Sequence, residues 1–242
     1  KDISFDIQAG EVHVLLGENG AGKSTLMKIL SGVYQPTEGK IIIGGKEFSK
    51  LTPKDSYDNG ISVIYQELSV INELSIQENL FVGKLPMKKI GLASVVDYGE
   101  MNRKAKELLA KIGLNRDPKT LVEDISVSEK QQVEIAKALA SDSKVIVMDE
   151  PTAMLDPQGR KEVMDTVMKL NREFGITVIL ITHYMDEAVK ADRVIVMDGG
   201  RIAMDGTPKE VFRNVERMKK LGLDVPQATE LAYRLRKKGF KL

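Results

Sequence analysis

Cysteine is absent from all 242 residues, which excludes disulfides and thiolate metal sites and is compatible with a reducing compartment. A surplus of one charge is absent too. The 36 Lys and Arg stand against 35 Asp and Glu, dispersed rather than in blocks, so no net field favours nucleic acid and none is expected as a partner. Nor is there a long apolar run: stretches such as residues 176–181 fall far short of the roughly 20 residues a membrane-spanning helix needs. The opening residues do not follow the pattern of a secretory signal. If the protein works at a membrane, it docks there. Internal repeats and low-complexity tracts are also missing, while 42% hydrophobic residues suffice for a sizeable core.

Against these absences stands one dense motif, Gly17-Glu18-Asn19-Gly20-Ala21-Gly22-Lys23-Ser24-Thr25. It follows the apolar strand Val12-His13-Val14-Leu15-Leu16 and opens a helix expected over Lys23–Leu30. Glycines at 17, 20 and 22 let the backbone curl round an anion and turn its N–H groups inward. Lys23 sets a cation against β- and γ-phosphates, Ser24 is placed as a ligand for Mg²⁺, and the helix N-terminus favours the anion. The segment is therefore expected to bind a nucleoside triphosphate. About 125 residues later, Val145-Ile146-Val147-Met148 runs into Asp149-Glu150. A buried strand delivering two carboxylates fits a division of labour in which Asp149 holds Mg²⁺ and Glu150 orients and polarises the attacking water.

Strands expected at 12–16, 61–65, 144–149 and 176–181 alternate with helices, which predicts an α/β fold with a mainly parallel sheet flanked by helices. Between 67 and 140 the pattern turns helical, with helices expected over 101–112 and 128–140. Residues 83–99, holding Pro86, Lys88, Lys89 and Gly91, are expected to be a loop with solvated lysines. The division that follows is a nucleotide-binding core of 1–66 and 141–206, an inserted helical subdomain of 67–140 and a helical appendage of 207–242.

With both motifs in this order, the chain resembles the ATP-binding cassette (ABC) family, a branch of the P-loop NTPases, over nearly all its length. The resemblance implies ATP with Mg²⁺ and assigns further residues. Gln66, after the strand ending near Tyr65, matches the glutamine that touches Mg²⁺ and the water and relays nucleotide state to a membrane partner. His183 matches the switch histidine that contacts the γ-phosphate. In Ala153-Met154-Leu155-Asp156, Asp156 matches the aspartate that meets the opposite subunit's phosphate loop, and it is equally placed to cap the helix after Pro157. Where the family reads Leu-Ser-Gly-Gly-Gln, this chain has Ile125-Ser126-Val127-Ser128-Glu129. Ser126 and Ser128 remain candidates for the opposite subunit's γ-phosphate, Ser126 also suiting a helix cap. Losing both glycines and adding Glu129 predicts weaker closure or slower hydrolysis.

By the same resemblance, two ATPase subunits, identical or paired, sandwich each ATP head to tail and drive an integral membrane permease. That places the chain in the cytoplasm, peripheral on the inner face of the membrane. Up to about residue 148 it looks like ATPases of simple-sugar importers, and from Asp149 onward like energy-coupling-factor ATPases, which is what a recombined chain or a natural intermediate would show. Family members also carry an aromatic residue that stacks on adenine, expected upstream of Lys1, so base stacking is expected to contribute little. Two other function classes fit these residues: a soluble cassette ATPase outside transport, and a nucleotide-binding scaffold without efficient turnover.

Overall fold

The computed structural model describes residues 3–91 and 93–240. Lys1, Asp2, Leu92, Lys241 and Leu242 lie outside them, and so do the outermost residues of the expected core and appendage and one residue of the expected loop.

Five successive buried side chains make the strand β1 (Val12–Leu16), the pattern of a strand covered on both faces. It leads through the phosphate loop into α1 (Lys23–Leu30), then β2 (Ile41–Ile43), β3 (Lys46–Phe48), α2 (Pro53–Asp58), β4 (Ile61–Ile64) and α3 (Ile76–Leu80). There follow β5 (Met87–Ile90), β6 (Ala93–Val96), α4 (Tyr98–Ile112) and α5 (Val127–Ala140). The chain returns through β7 (Val145–Asp149), α6 (Pro157–Phe174), β8 (Thr177–Ile181), α7 (Met185–Ala188), β9 (Arg193–Asp198) and β10 (Arg201–Gly206). It ends in α8 (Pro208–Phe212), α9 (Val215–Lys220) and α10 (Gln227–Lys237).

Among the described residues, six strands form one sheet in the order β10-β9-β1-β8-β7-β4. All neighbours are parallel except β10, which runs antiparallel to β9. This is the doubly covered α/β arrangement expected, and the four expected core strands all belong to it, with ends shifted by at most one residue. The register sets Leu15 beside Ile181 and Ile181 beside Asp149. The carboxyl ends of β1, β8, β7 and β4 therefore share one edge, where open α/β sheets bind their ligands.

Helices α3, α4 and α5 pack on one another. In α4 the buried residues Met101, Ala105, Leu108, Leu109 and Ile112 recur at three and four residues, one stripe of a helix turned to the core. Each large side chain so buried contributes about 1.5–3 kcal/mol.

Two readings of the sequence need correction. Residues 83–99 are not a loop: β5 and β6 pair antiparallel, Met87 opposite Val96 and Ile90 opposite Ala93, round a turn at Gly91. Asp97 N–H donates to the Pro86 carbonyl at 2.8 Å, and Lys88 reaches Asp97 at 3.6 Å. Seven of the eight paired residues are exposed, so neither face carries the apolar alternation that marks a half-buried strand. The second correction adds β9 and β10 to the four expected strands. Their two-residue Gly199-Gly200 turn between apolar runs is a hairpin signal.

Candidate active site

The phosphate loop is curled by its own glycines and braced from the β9–β10 turn. A Cβ on Gly17 would lie 2.5 Å from the Met197 carbonyl oxygen and 2.9 Å from the Ala21 side chain, so only glycine fits there. Gly22, at φ +103, caps α1 in a left-handed conformation that an ordinary residue adopts at a cost. Gly200 N–H donates to the Ala21 carbonyl at 3.1 Å. On the other flank, the turn between α9 and α10 touches the loop, Gly222 lying against the Glu18 side chain. Asn19, Gly20, Ser24 and Thr25 are exposed around the mouth of the loop, while Ala21 and Lys23 are buried. Because Gly22 has no side chain, α1 begins without a side-chain cap, leaving its first-turn N–H groups to an anion.

Lys23 is 5% exposed, and its Nζ donates to the carbonyls of Gly17 at 2.6 Å and Glu18 at 3.1 Å. Burial pushes its pKa down, and the charges of Glu150 and Asp149 work against that fall. Asp149 ends β7; burial first, and the Glu150 charge second, push its carboxyl up, offset in part by Lys23 and His183. Glu150 follows in the left-handed region at φ +47, a conformation costing a non-glycine residue about 1 kcal/mol or more. Its N–H donates to the Ile181 carbonyl at 2.9 Å, and its Oε1 lies 2.6 Å from His183 Nε2. Lys23, Asp149, Glu150 and His183 thus form one electrostatic cluster at the carboxyl edge of the sheet.

The other candidates fall outside that cluster. Gln66 follows β4 at the same edge with an exposed side chain. Ser126 caps α5: its hydroxyl accepts from Glu129 N–H at 3.2 Å while Glu129 Oε2 accepts from Ser126 N–H at 2.8 Å. Ser126 and Ser128 hydroxyls are 3.0 Å apart, and Ser128 donates to Glu162 of α6 at 3.2 Å. Asp156 caps α6, accepting from Gly159 N–H at 2.9 Å. A Cβ on Gly159 would come within 3.1 Å of the Ser128 side chain. Ser126, Ser128 and Asp156 therefore gather where α5 and α6 begin side by side. Glu129 is tied down as well. Although burial works against it, bonds from Arg116, at 2.6 Å, and from Ser126 hold its carboxyl below the ordinary value.

Sequence reasoning passed over several residues at the first cluster. Met197 and Gly200 brace the loop, and Thr152, Thr182 and Glu187 link the two segments that carry Glu150 and His183. Nothing in local pattern marks Glu187, the second of two adjacent acids in a short helix; its partners are brought to it by strand pairing.

The ABC transporter family matches residues 1–153. The energy-coupling factor transporter ATP-binding protein EcfA1 of Clostridium novyi is 41% identical over 244 aligned residues, covering all of this chain and 84% of the relative. A putative ribose/galactose/methyl galactoside import ATP-binding protein of Burkholderia ambifaria is 45% identical over 216 residues, 87% of this chain but 42% of the relative, so the chain spans about two-fifths of that protein. Likeness to both kinds of ATPase agrees with the mixture in the sequence. Among solved structures, the dimeric post-hydrolysis state of the ATP-binding cassette MJ0796, bound to ADP and Pi, superposes with a TM-score of 0.69 at 27% identity, covering 86% of this chain and 89% of that one.

Proposed function

Since the chain belongs to the ABC transporter family, as one of its ATPases, we propose that it binds and hydrolyses MgATP in a head-to-tail dimer and drives solute uptake through a membrane permease. The observation that carries this reading is the meeting of Lys23, Asp149, Glu150 and His183 at the mouth of the phosphate loop. The loop amides and the start of α1 cradle the phosphates, and Lys23 faces the β- and γ-phosphates. Glu150, fixed by its backbone bond to Ile181 and its contact with His183, orients and polarises the attacking water. His183 reports on and contacts the γ-phosphate.

Two carboxylates facing one buried ammonium leave a demand for positive charge, and Ser24, Gln66 and Asp149 offer only oxygen donors, a set suited to Mg²⁺. Bound there, the ion supplies neutralisation of phosphate charge. Ser126, Ser128 and Asp156, gathered away from this cluster, serve the ATP of the opposite subunit, which gives the dimer its function: each pocket is complete only when two chains close. Residues 1–66 and 141–206 act as the nucleotide core, 67–140 as the helical subdomain facing the permease, and 207–242 as an appendage. Among the described residues no helix is long and apolar enough to cross a membrane, so attachment to the cytoplasmic face runs through the permease.

Mg²⁺-dependent ATP hydrolysis across a range of protein concentrations, with Glu150→Gln in parallel, tests the proposal. Specific activity that rises with concentration and is lost in the variant supports it. ATP binding with no Glu150-dependent turnover at any concentration would overturn it in favour of a nucleotide-binding scaffold.

A further inference from the structure

Glu187 is 5% exposed, and a buried carboxylate is retained only when its oxygens are well satisfied. Two short hydrogen bonds do this, one on each oxygen: Thr152 Oγ1 donates to Oε1 at 2.6 Å and Thr182 Oγ1 donates to Oε2 at 2.6 Å. Both threonines are buried, at 0% and 1% exposure. Burial pushes the Glu187 carboxyl up, and the two threonine bonds, with the nearby charge of Arg160, hold it part of the way down. Arg160 comes from α6 and stacks over Tyr184, 4.1 Å from the ring centre.

The two threonines sit at telling places. Thr152 lies two residues after Glu150, on the turn that leaves β7, and Thr182 immediately precedes His183 on the turn that leaves β8. The Thr182 hydroxyl also accepts from Tyr184 N–H at 3.0 Å, so the backbone is fixed on both sides of His183. On the sheet side, the same two turns are joined by the bond from Glu150 N–H to the Ile181 carbonyl. Glu150 and His183, 2.6 Å apart, are thus bracketed between a backbone bond below and the Thr152–Glu187–Thr182 bridge above. We infer that Glu187 is a positioning residue for hydrolysis, clamping the loop after β7 to the loop after β8 so that Glu150 and His183 meet in a fixed geometry. A carboxylate suits this task because it accepts twice from two hydroxyls approaching from different strands; an apolar residue of similar size would fill the space and join nothing. The inference rests on the roles proposed above for Glu150 and His183.

Three single variants of the full chain, Glu187→Ala, Glu187→Gln and Thr152→Val, test it with two readouts. In steady-state hydrolysis, Glu187→Ala should lose about 10- to 100-fold in kcat, the scale of a small misplacement of reacting groups. Its ATP affinity should stay within about twofold of wild type, because the phosphate loop is untouched. Glu187→Gln, which keeps one acceptor oxygen, should recover part of the loss, and Thr152→Val added to Glu187→Ala should cost little more, since both act through one bridge. The second readout needs no turnover. The chain has two histidines, and the NMR ring signals of His183 should move both in Glu187→Ala and in Glu150→Gln, with those of His13 unchanged. Wild-type kcat together with unmoved His183 signals in a folded Glu187→Ala would overturn the inference. Should that variant fail to fold, wild-type kcat and His183 signals in both Glu187→Gln and Thr152→Val would overturn it equally. If the wild type itself shows no Glu150-dependent turnover, it is the hydrolysis reading that fails, and the His183 signals alone decide whether the clamp exists.

Discussion

The cluster round the phosphate loop and the one where α5 and α6 begin are built on opposite principles. At the loop the polar groups are held under tension: Lys23 is buried beside two carboxylates, Asp149 has its carboxyl pushed up, and Glu150 sits at a positive φ. At the start of α5 and α6 nearly every polar group already has an internal partner. Ser126 and Glu129 satisfy each other, Arg116 neutralises Glu129, Ser128 bonds Glu162 and Asp156 caps its own helix. The first region is arranged to gain from a polyanion and a cation, whereas the second is largely paired within itself, with only Gln131 Nε2 and Arg160 Nε buried without a hydrogen-bond partner among its described residues. That contrast fits a division in which one edge performs chemistry and the other closes over a neighbouring chain's nucleotide. It also softens the expectation from the altered signature segment: Glu129 brings its charge, but the charge is spent on Ser126 N–H and Arg116.

The sharpest way to break the contrast is to remove Glu150, the acid proposed to orient the water. Glu150→Gln keeps the size of the side chain and should cut kcat by about 10²- to 10⁴-fold, the usual worth of a positioned general base, with ATP affinity retained in an equilibrium binding assay. Equal losses in binding and turnover would make Glu150 part of the phosphate cradle instead. Next in size, Met101→Ala should cost about 2–5 kcal/mol in chemical denaturation, because Met101 is fully buried on the core-facing stripe of α4. Chain that still folds should bind ATP like wild type, separating the scaffold of the second region from the chemistry of the first.

The two regions were not equally legible in the sequence. The loop from Gly17 to Thr25, α1 and the carboxylates at the end of β7 announce themselves, because glycine spacing and an apolar strand ending in acids are local patterns. The grouping of Ser126, Ser128 and Asp156 is not local: it requires α5 and α6, about 30 residues apart in sequence, to start side by side. Glu187 was invisible for the same reason, since its meaning lies in two threonines brought to it by β7 and β8. The β5–β6 hairpin escaped for a different one. With seven of its eight paired residues exposed and only Val96 packed on the core, it carries no apolar alternation, and its Lys88-Lys89 pair reads as a loop.

Smaller effects sharpen the comparison at the second region. Ser126→Ala should cost about 1 kcal/mol of stability, the worth of an N-cap, whereas Ser126→Asp, which can still cap, should not. If the site completes a neighbour's pocket, both substitutions should nonetheless lower the concentration-dependent part of hydrolysis, since Asp places a negative charge where a γ-phosphate belongs. Loss of activity only in step with loss of stability would reduce Ser126 to a helix cap.

The smallest effect comes from the other histidine. His13 lies within β1 at 0% exposure, its Nε2 accepting from Gln8 N–H at 3.2 Å and lying 3.2 Å from Glu11 Oε2. Burial pushes its pKa below the ordinary 6.5, with Glu11 pulling the other way. A base whose folded pKa is lowered binds fewer protons in the native state than in the unfolded chain, so stability rises with pH through this window and is fully present above 6.5. Below that value it is lost progressively until the folded pKa is passed. Denaturation midpoints measured from pH 7 downward should therefore show a proton-linked decline below 6.5 that His13→Gln removes. A decline of the same size in His13→Gln would mean that groups other than this buried histidine govern the response to acid in that window.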